Sequence, residues 1–137
     1  MTPKLNAVFE IKAWDEQEFD ETTGGARLTK ASVAKEYHGD VEGGSATEWL
    51  MAYAPDGSAV FVGLERINGT VGGRPGTLVL EHVGRFEGGS ASATLTVISG
   101  TGDLSGATGS GEFVADPAGR ISLTIELSGS RPTASPA

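Results

Sequence analysis

Apolar and polar residues alternate with a period of two through most of the chain, most clearly from Glu48 to Val97, as half-buried β-strands require. Three reversals punctuate that stretch. In Ala54-Pro55-Asp56-Gly57-Ser58, proline presets φ for a type I turn and glycine supplies the left-handed residue that closes a bulged hairpin. Pairing Ala54 with Ser58 sets Thr47 against Glu65, Trp49 against Gly63 and Met51 against Phe61. Gly72-Gly73 makes a two-residue turn whose residues need positive φ. It places Glu65 opposite Leu80 and Gly63 opposite His82. Gly88-Gly89 repeats the device and places His82 opposite Leu95.

The three registers follow independently from turn chemistry and agree on faces. One face gathers Trp49, Met51, Tyr53, Phe61, Ile67, Leu78, Leu80, Phe86, Leu95 and Val97; the other gathers Glu48, Arg66, Glu81, Arg85, Ser92, Thr94 and Thr96. A one-residue slip in any turn would scramble that separation, so the apolar face is the interior. Glu65 and His82 fall on it together, as diagonal neighbours on adjacent strands. Glu48 falls outside, with Arg66 as its expected diagonal partner in a surface ion pair of small energetic value.

Outside this block the pattern predicts four more strands. Residues 5–14 alternate, with Ala7, Phe9, Ile11 and Ala13 inward and Glu10, Lys12 and Trp14 outward. Five acids in the seven residues from Asp15 to Glu21 read as a solvated loop anchored by Phe19, since calcium loops place ligands around a glycine turn that is missing here. Arg27 to Tyr37 is a weaker strand, and His38-Gly39-Asp40 a turn with an exposed histidine. Gly100 to Gly111 lacks the glycine and lysine placements of nucleotide-binding loops and reads as a tight loop with a short turn at Leu104. Gly111–Ala115 and Arg120–Leu127 form a last hairpin about Asp116-Pro117-Ala118-Gly119. Eight antiparallel strands in meander order imply an all-β, up-and-down barrel over residues 1–128, with a disordered Pro/Ser/Ala-rich tail at 129–137. The alternative is a sandwich, but short turns leave little room for its crossings.

Composition narrows the function classes. With 137 residues the chain suits one domain. Its net charge of −8 and pI near 4.6 argue against nucleic acid or an anionic membrane as partner. Cysteine is absent, which removes thiolate chemistry and disulfides. Two histidines on different elements and no completing carboxylate spacing imply no metal, and no cofactor is expected. Met1-Thr2-Pro3-Lys4 has no signal-like apolar core, so a cytoplasmic location is expected. Val60, Val62 and Leu64 turn outward and want a cover, which a subunit partner or the chain's own tail could supply; a homodimer is the simplest expectation.

Several segments together resemble one family. These are Trp14-Asp15-Glu16, Glu48-Trp49-Leu50-Met51-Ala52-Tyr53, Phe61-Val62-Gly63-Leu64-Glu65-Arg66, Gly84-Arg85-Phe86-Glu87-Gly88 and Gly100-Thr101-Gly102-Asp103-Leu104-Ser105-Gly106. They resemble the bacterial DUF3224 proteins, up to about Leu127. The resemblance implies a fold similar to allene oxide cyclase, an eight-stranded antiparallel barrel that is often oligomeric. It implies no catalytic assignment, because a shared barrel does not fix chemistry.

An eight-stranded barrel is wide enough to be filled by side chains or to hold one small ligand. The expected function is therefore binding of a small, largely apolar molecule by Trp49, Met51, Tyr53, Phe61, Leu80 and Phe86. An isomerase or cyclase is the alternative, with Glu65 and His82 as candidate catalytic groups moving a proton in the lumen. In the third reading the lumen is filled, and Glu65 and His82 bond each other and hydroxyls such as Thr47 or Tyr53.

Overall fold

The computed structural model describes residues 4–115 and 121–128. Eight strands follow in order: β1 (Lys4–Glu21), β2 (Arg27–Gly39), β3 (Val41–Tyr53), β4 (Ala59–Val71), β5 (Arg74–Glu87), β6 (Ser90–Gly102), β7 (Thr108–Ala115) and β8 (Ile121–Ser128). Each pairs antiparallel with the next, and β8 pairs with β1 from Lys4↔Glu126 to Val8↔Ser122, closing the expected barrel. The expected turn at Asp116–Gly119 and the tail at 129–137 lie outside the described residues. Among the described residues no helix is long and apolar enough to cross a membrane.

The three turns set the central registers as their chemistry requires. Ala54 N–H bonds Ser58 O at 2.8 Å, and Trp49 pairs with Gly63 and Thr47 with Glu65. Gly72 and Gly73 adopt φ of 61° and 81°, and Glu65 pairs with Leu80 and Gly63 with His82. Gly88 and Gly89 do the same at 65° and 82°, and His82 pairs with Leu95. Two glycines make room for rings rather than turns. A Cβ on Gly63 would come within 2.7 Å of the Trp49 indole, and one on Gly84 within 2.6 Å of the Phe61 ring. Each aromatic lies across a bare strand position, as in aromatic rescue of strand glycines.

β1 departs from its sequence reading. Ile11 pairs with Lys35 but Ala13 pairs with Ala34, so Lys12 is an extra residue in a bulge. The phase then reverses, and Trp14 rather than Ala13 turns toward the interior, packing 5.6 Å from Trp49. The acidic run is not a loop but the continuation of β1. Opposite it, Arg27 of β2 pairs with Glu18 at 3.6 Å and Thr29 Oγ1 donates to Glu16 at 2.6 Å, so cross-strand contacts hold a segment of poor strand propensity. Phe19, expected to anchor the segment, is 58% exposed. Glu48 turns toward β2 instead of Arg66, accepting from Ser32 Oγ at 2.9 Å and facing Lys30 Nζ at 3.7 Å.

The two ends of the barrel differ. At the end of the β2–β3 and β4–β5 turns, the β6–β7 loop tucks Leu104 and Ala107 under the sheet, where both are buried. Val41, Val71 and Ile67 are buried in the same core cluster. At the opposite end, among the described residues, a cavity opens between the ends of β3, β5 and β7.

Candidate functional site

The interior carries a polar layer built on β2, β3, β4 and β5. Glu65 is fully buried, and its Oε1 lies 2.8 Å from His82 Nε2 and 3.4 Å from Lys35 Nζ. Its Oε2 accepts from Tyr37 OH at 2.7 Å and Ser45 Oγ at 2.6 Å. Four donors therefore surround one carboxylate, which fills its lone-pair capacity. Burial alone would raise the Glu65 pKa, but the Lys35 charge and the bonds from His82 and Ser45 outweigh it and hold it at about 2. Burial lowers the pKa of Lys35, with Glu65 opposing, and raises that of Tyr37 well above the usual phenol value, with Glu65 adding to it.

The expected contact between Glu65 and His82 is present, but the hydroxyls that join it are Tyr37 and Ser45 rather than Thr47 or Tyr53. Thr47 Oγ1 has no hydrogen-bond partner among the described residues. Tyr53 instead belongs to a second cluster at the mouth. There Glu16 accepts from Trp14 Nε1 at 3.1 Å, Thr29 Oγ1 at 2.6 Å and Tyr53 OH at 2.8 Å. Partial burial pushes the Glu16 pKa up, but those three bonds and the Arg27 charge bring it below the usual value. The same contacts act oppositely on Tyr53: burial and its bond to Glu16 raise its pKa to about 12.

Between the two clusters lies a cavity of about 310 Å³. Phe9, Trp49, Phe61 and Phe113 form its floor, while Trp14, Tyr53, Phe86 and Ile121 frame its mouth. Five of the six residues expected to bind a ligand line it: Trp49, Met51, Tyr53, Phe61 and Phe86. Leu80 does not; it is fully buried one level deeper. Phe86, assigned to the interior by its parity, is 37% exposed because it stands at the rim. Glu65 and His82 lie beneath the aromatic floor and do not reach the cavity.

Sequence reasoning missed Lys35, Phe113 and Glu16. The Lys35 signal was available, since Thr29, Ala31, Val33, Lys35 and Tyr37 share one parity and all are buried. Glu16 could not be placed without the bulge at Lys12. On the outer surface Glu10, Glu36 and His38 bring ligand-type atoms within 4.8 Å of one another, but Lys12 already pairs with Glu10 at 3.5 Å and Glu36 at 4.0 Å.

A family model described as "Protein of unknown function (DUF3224)" matches residues 5–127. The chain belongs to the DUF3224 family. A solved DUF3224 protein of unknown function from Shewanella oneidensis MR-1 is 26% identical and superposes with a TM-score of 0.76. The match covers 94% of this chain and 98% of that one. No curated protein matches the chain. The DUF3224 assignment thus accounts for the fold and leaves the chemistry to be argued from the site.

Proposed function

We propose that this barrel is a binding module whose mouth cavity takes a small, largely apolar molecule. One observation carries the reading: the polar tips of the lining aromatics are engaged away from the cavity. Trp14 Nε1 and Tyr53 OH are given to Glu16, and Trp49 Nε1 is given to His82 Nδ1 at 3.1 Å. What remains facing inward is ring face, methyl and thioether, in a volume at the small end of ligand pockets. Proton transfer by Glu65 and His82 is less well supported. Both are satisfied partners in a closed network, and an aromatic layer separates them from the cavity.

Native mass spectrometry of gently purified protein tests the reading, with Ala91→Phe/Ala115→Phe as a variant that fills the cavity. A co-purifying apolar molecule retained by the parent and lost from the variant supports it. No adduct on either protein, together with no binding of naphthalene in titration, overturns it.

A further inference from the structure

Aromatic linings of this kind form cages for quaternary ammonium ions, yet the floor here already carries a positive charge behind it. Phe9, Trp49 and Phe113 line the cavity. The Lys35 ammonium lies over the same three rings, 4.4, 5.0 and 5.1 Å from their centroids. Lys35 itself is fully buried and does not line the cavity, so the rings stand between its charge and any occupant. Its carboxylate partner Glu65 is anchored through its other oxygen by Tyr37 and Ser45. The pair forms a buried dipole with its positive end against the floor, where low dielectric strengthens the field. Glu16 is the opposing charge at the mouth, but it is part-exposed and engaged by Trp14, Thr29, Tyr53 and Arg27.

We infer that the cavity selects uncharged ligands and rejects cations, through Lys35 beneath its aromatic floor. This inference rests on the binding reading above. Three probes of one shape test it by NMR-detected titration: tert-butylbenzene, benzenesulfonate and phenyltrimethylammonium. The expected order is neutral tightest, then anion, then cation, with the cation about tenfold or more weaker than the neutral probe. The net charge of −8 would by itself favour the cation over the anion, so that order isolates the local field. In Lys35→Met/Glu65→Gln the gap between neutral and cationic probes should narrow. A cation binding as well as the neutral probe, or better than the anion, overturns the inference and leaves the binding reading standing; so does an unchanged gap in a folded double variant. No binding of any probe defeats both.

On the outside of the barrel, apolar residues are arranged symmetrically about one line. Leu50, Val62 and Val83 are direct partners across β3, β4 and β5, all about half exposed. Leu64 and Val60 flank Val62 along β4, and Glu81 and Arg85 flank Val83 along β5. A twofold axis along the line would set Leu64 against Val60 of a second copy and Glu81 against its Arg85, twice over. Among the described residues Arg85 otherwise has only the exposed Glu87 within ionic reach, at 4.0 Å. We propose that this face is covered by a second copy of the chain, packed with its strands reversed.

Sedimentation equilibrium of the full chain tests this with charge swaps. Glu81→Arg and Arg85→Glu should each weaken the dimer about tenfold or more by setting like charges together. Combined, they invert the pattern and should restore association. A parent that stays monomeric at micromolar concentration overturns the proposal, as does a double swap no stronger than the singles.

Discussion

Trp49 donates its indole N–H to Nδ1 of His82 at 3.1 Å, and this bond assigns the imidazole tautomer. With Nδ1 accepting, the ring proton is on Nε2, facing Glu65 Oε1 at 2.8 Å. Burial lowers the His82 pKa below its usual 6.5, against the pull of Glu65, so the folded ring is neutral. Nitrogen-15 NMR at neutral pH should report one slowly exchanging Nε2–H imidazole.

The same groups set an acid dependence in two stages. For His82 the unfolded chain binds the proton more readily, so its stabilising term is complete above pH 6.5 and declines as the pH falls below that value. Glu65, at about 2 folded against 4.5 unfolded, contributes stability that is present above pH 4.5 and is lost between 4.5 and 2. Urea midpoints measured from pH 8 to 3 should show both declines. His82→Gln, which can still accept from Trp49 and donate to Glu65, should remove the first and keep the second.

Removing one partner of the buried pair should cost more than neutralising both. Lys35→Met leaves Glu65 with an uncompensated charge and should cost about 3 kcal/mol. Lys35→Met/Glu65→Gln should recover much of that in the same denaturation experiment, giving a coupling energy of opposite sign to the single losses. Strict additivity would show that the 3.4 Å contact carries no energy.

Thr47 offers a simple gain. Its hydroxyl is buried without a partner among the described residues, so Thr47→Val removes an unsatisfied group at nearly constant volume. Stability should rise by between nothing and about 1 kcal/mol, measured as a urea midpoint at unchanged slope.

Gly84→Ala should act the other way. The added methyl would meet the Phe61 ring at 2.6 Å and Ala93 Cβ at 2.7 Å, and it also crowds the Ser92 carbonyl on the rigid neighbouring strand. A loss of about 2 kcal/mol is expected. Gly84→Ala/Phe61→Leu should recover part of it if ring contact is the cause.

The chain has only two tyrosines, and both are shifted upward, so tyrosinate absorbance should stay flat through pH 10. Glu16→Ala should bring one of them back toward 10, because Tyr53 then loses its acceptor and the adjacent negative charge. An unchanged alkaline titration would contradict the mouth cluster.

Where glycine or proline dictates a turn, strand pairing was readable from sequence. The pairings of Thr47 with Glu65, Glu65 with Leu80 and His82 with Leu95 follow from Pro55-Asp56-Gly57, Gly72-Gly73 and Gly88-Gly89, and with them the meeting of Glu65 and His82; the one-residue slip between Val79 and Leu80 against β6 does not. Lys35 shares the parity of Thr29, Ala31, Val33 and Tyr37 and is legible on that ground alone; its partner is not, because a lysine inside a barrel is favourable only when a carboxylate is waiting, and that carboxylate is on another strand. The bulge at Lys12 bears no residue type that marks it. One uncounted residue there moved Trp14 and Glu16 to the cavity side, while the pairing of Asp15–Glu21 with β2 made a strand of the expected loop.

Leu104, packed under the far end, turns the tube into a cup. Among the described residues the cavity then opens at one end, framed by Trp14, Tyr53, Phe86 and Ile121, so an occupant of the proposed site would arrive and depart by the same side. Because Phe86 is itself one of the lining rings, trimming it would alter both the pace of exchange and the contact area that holds an occupant.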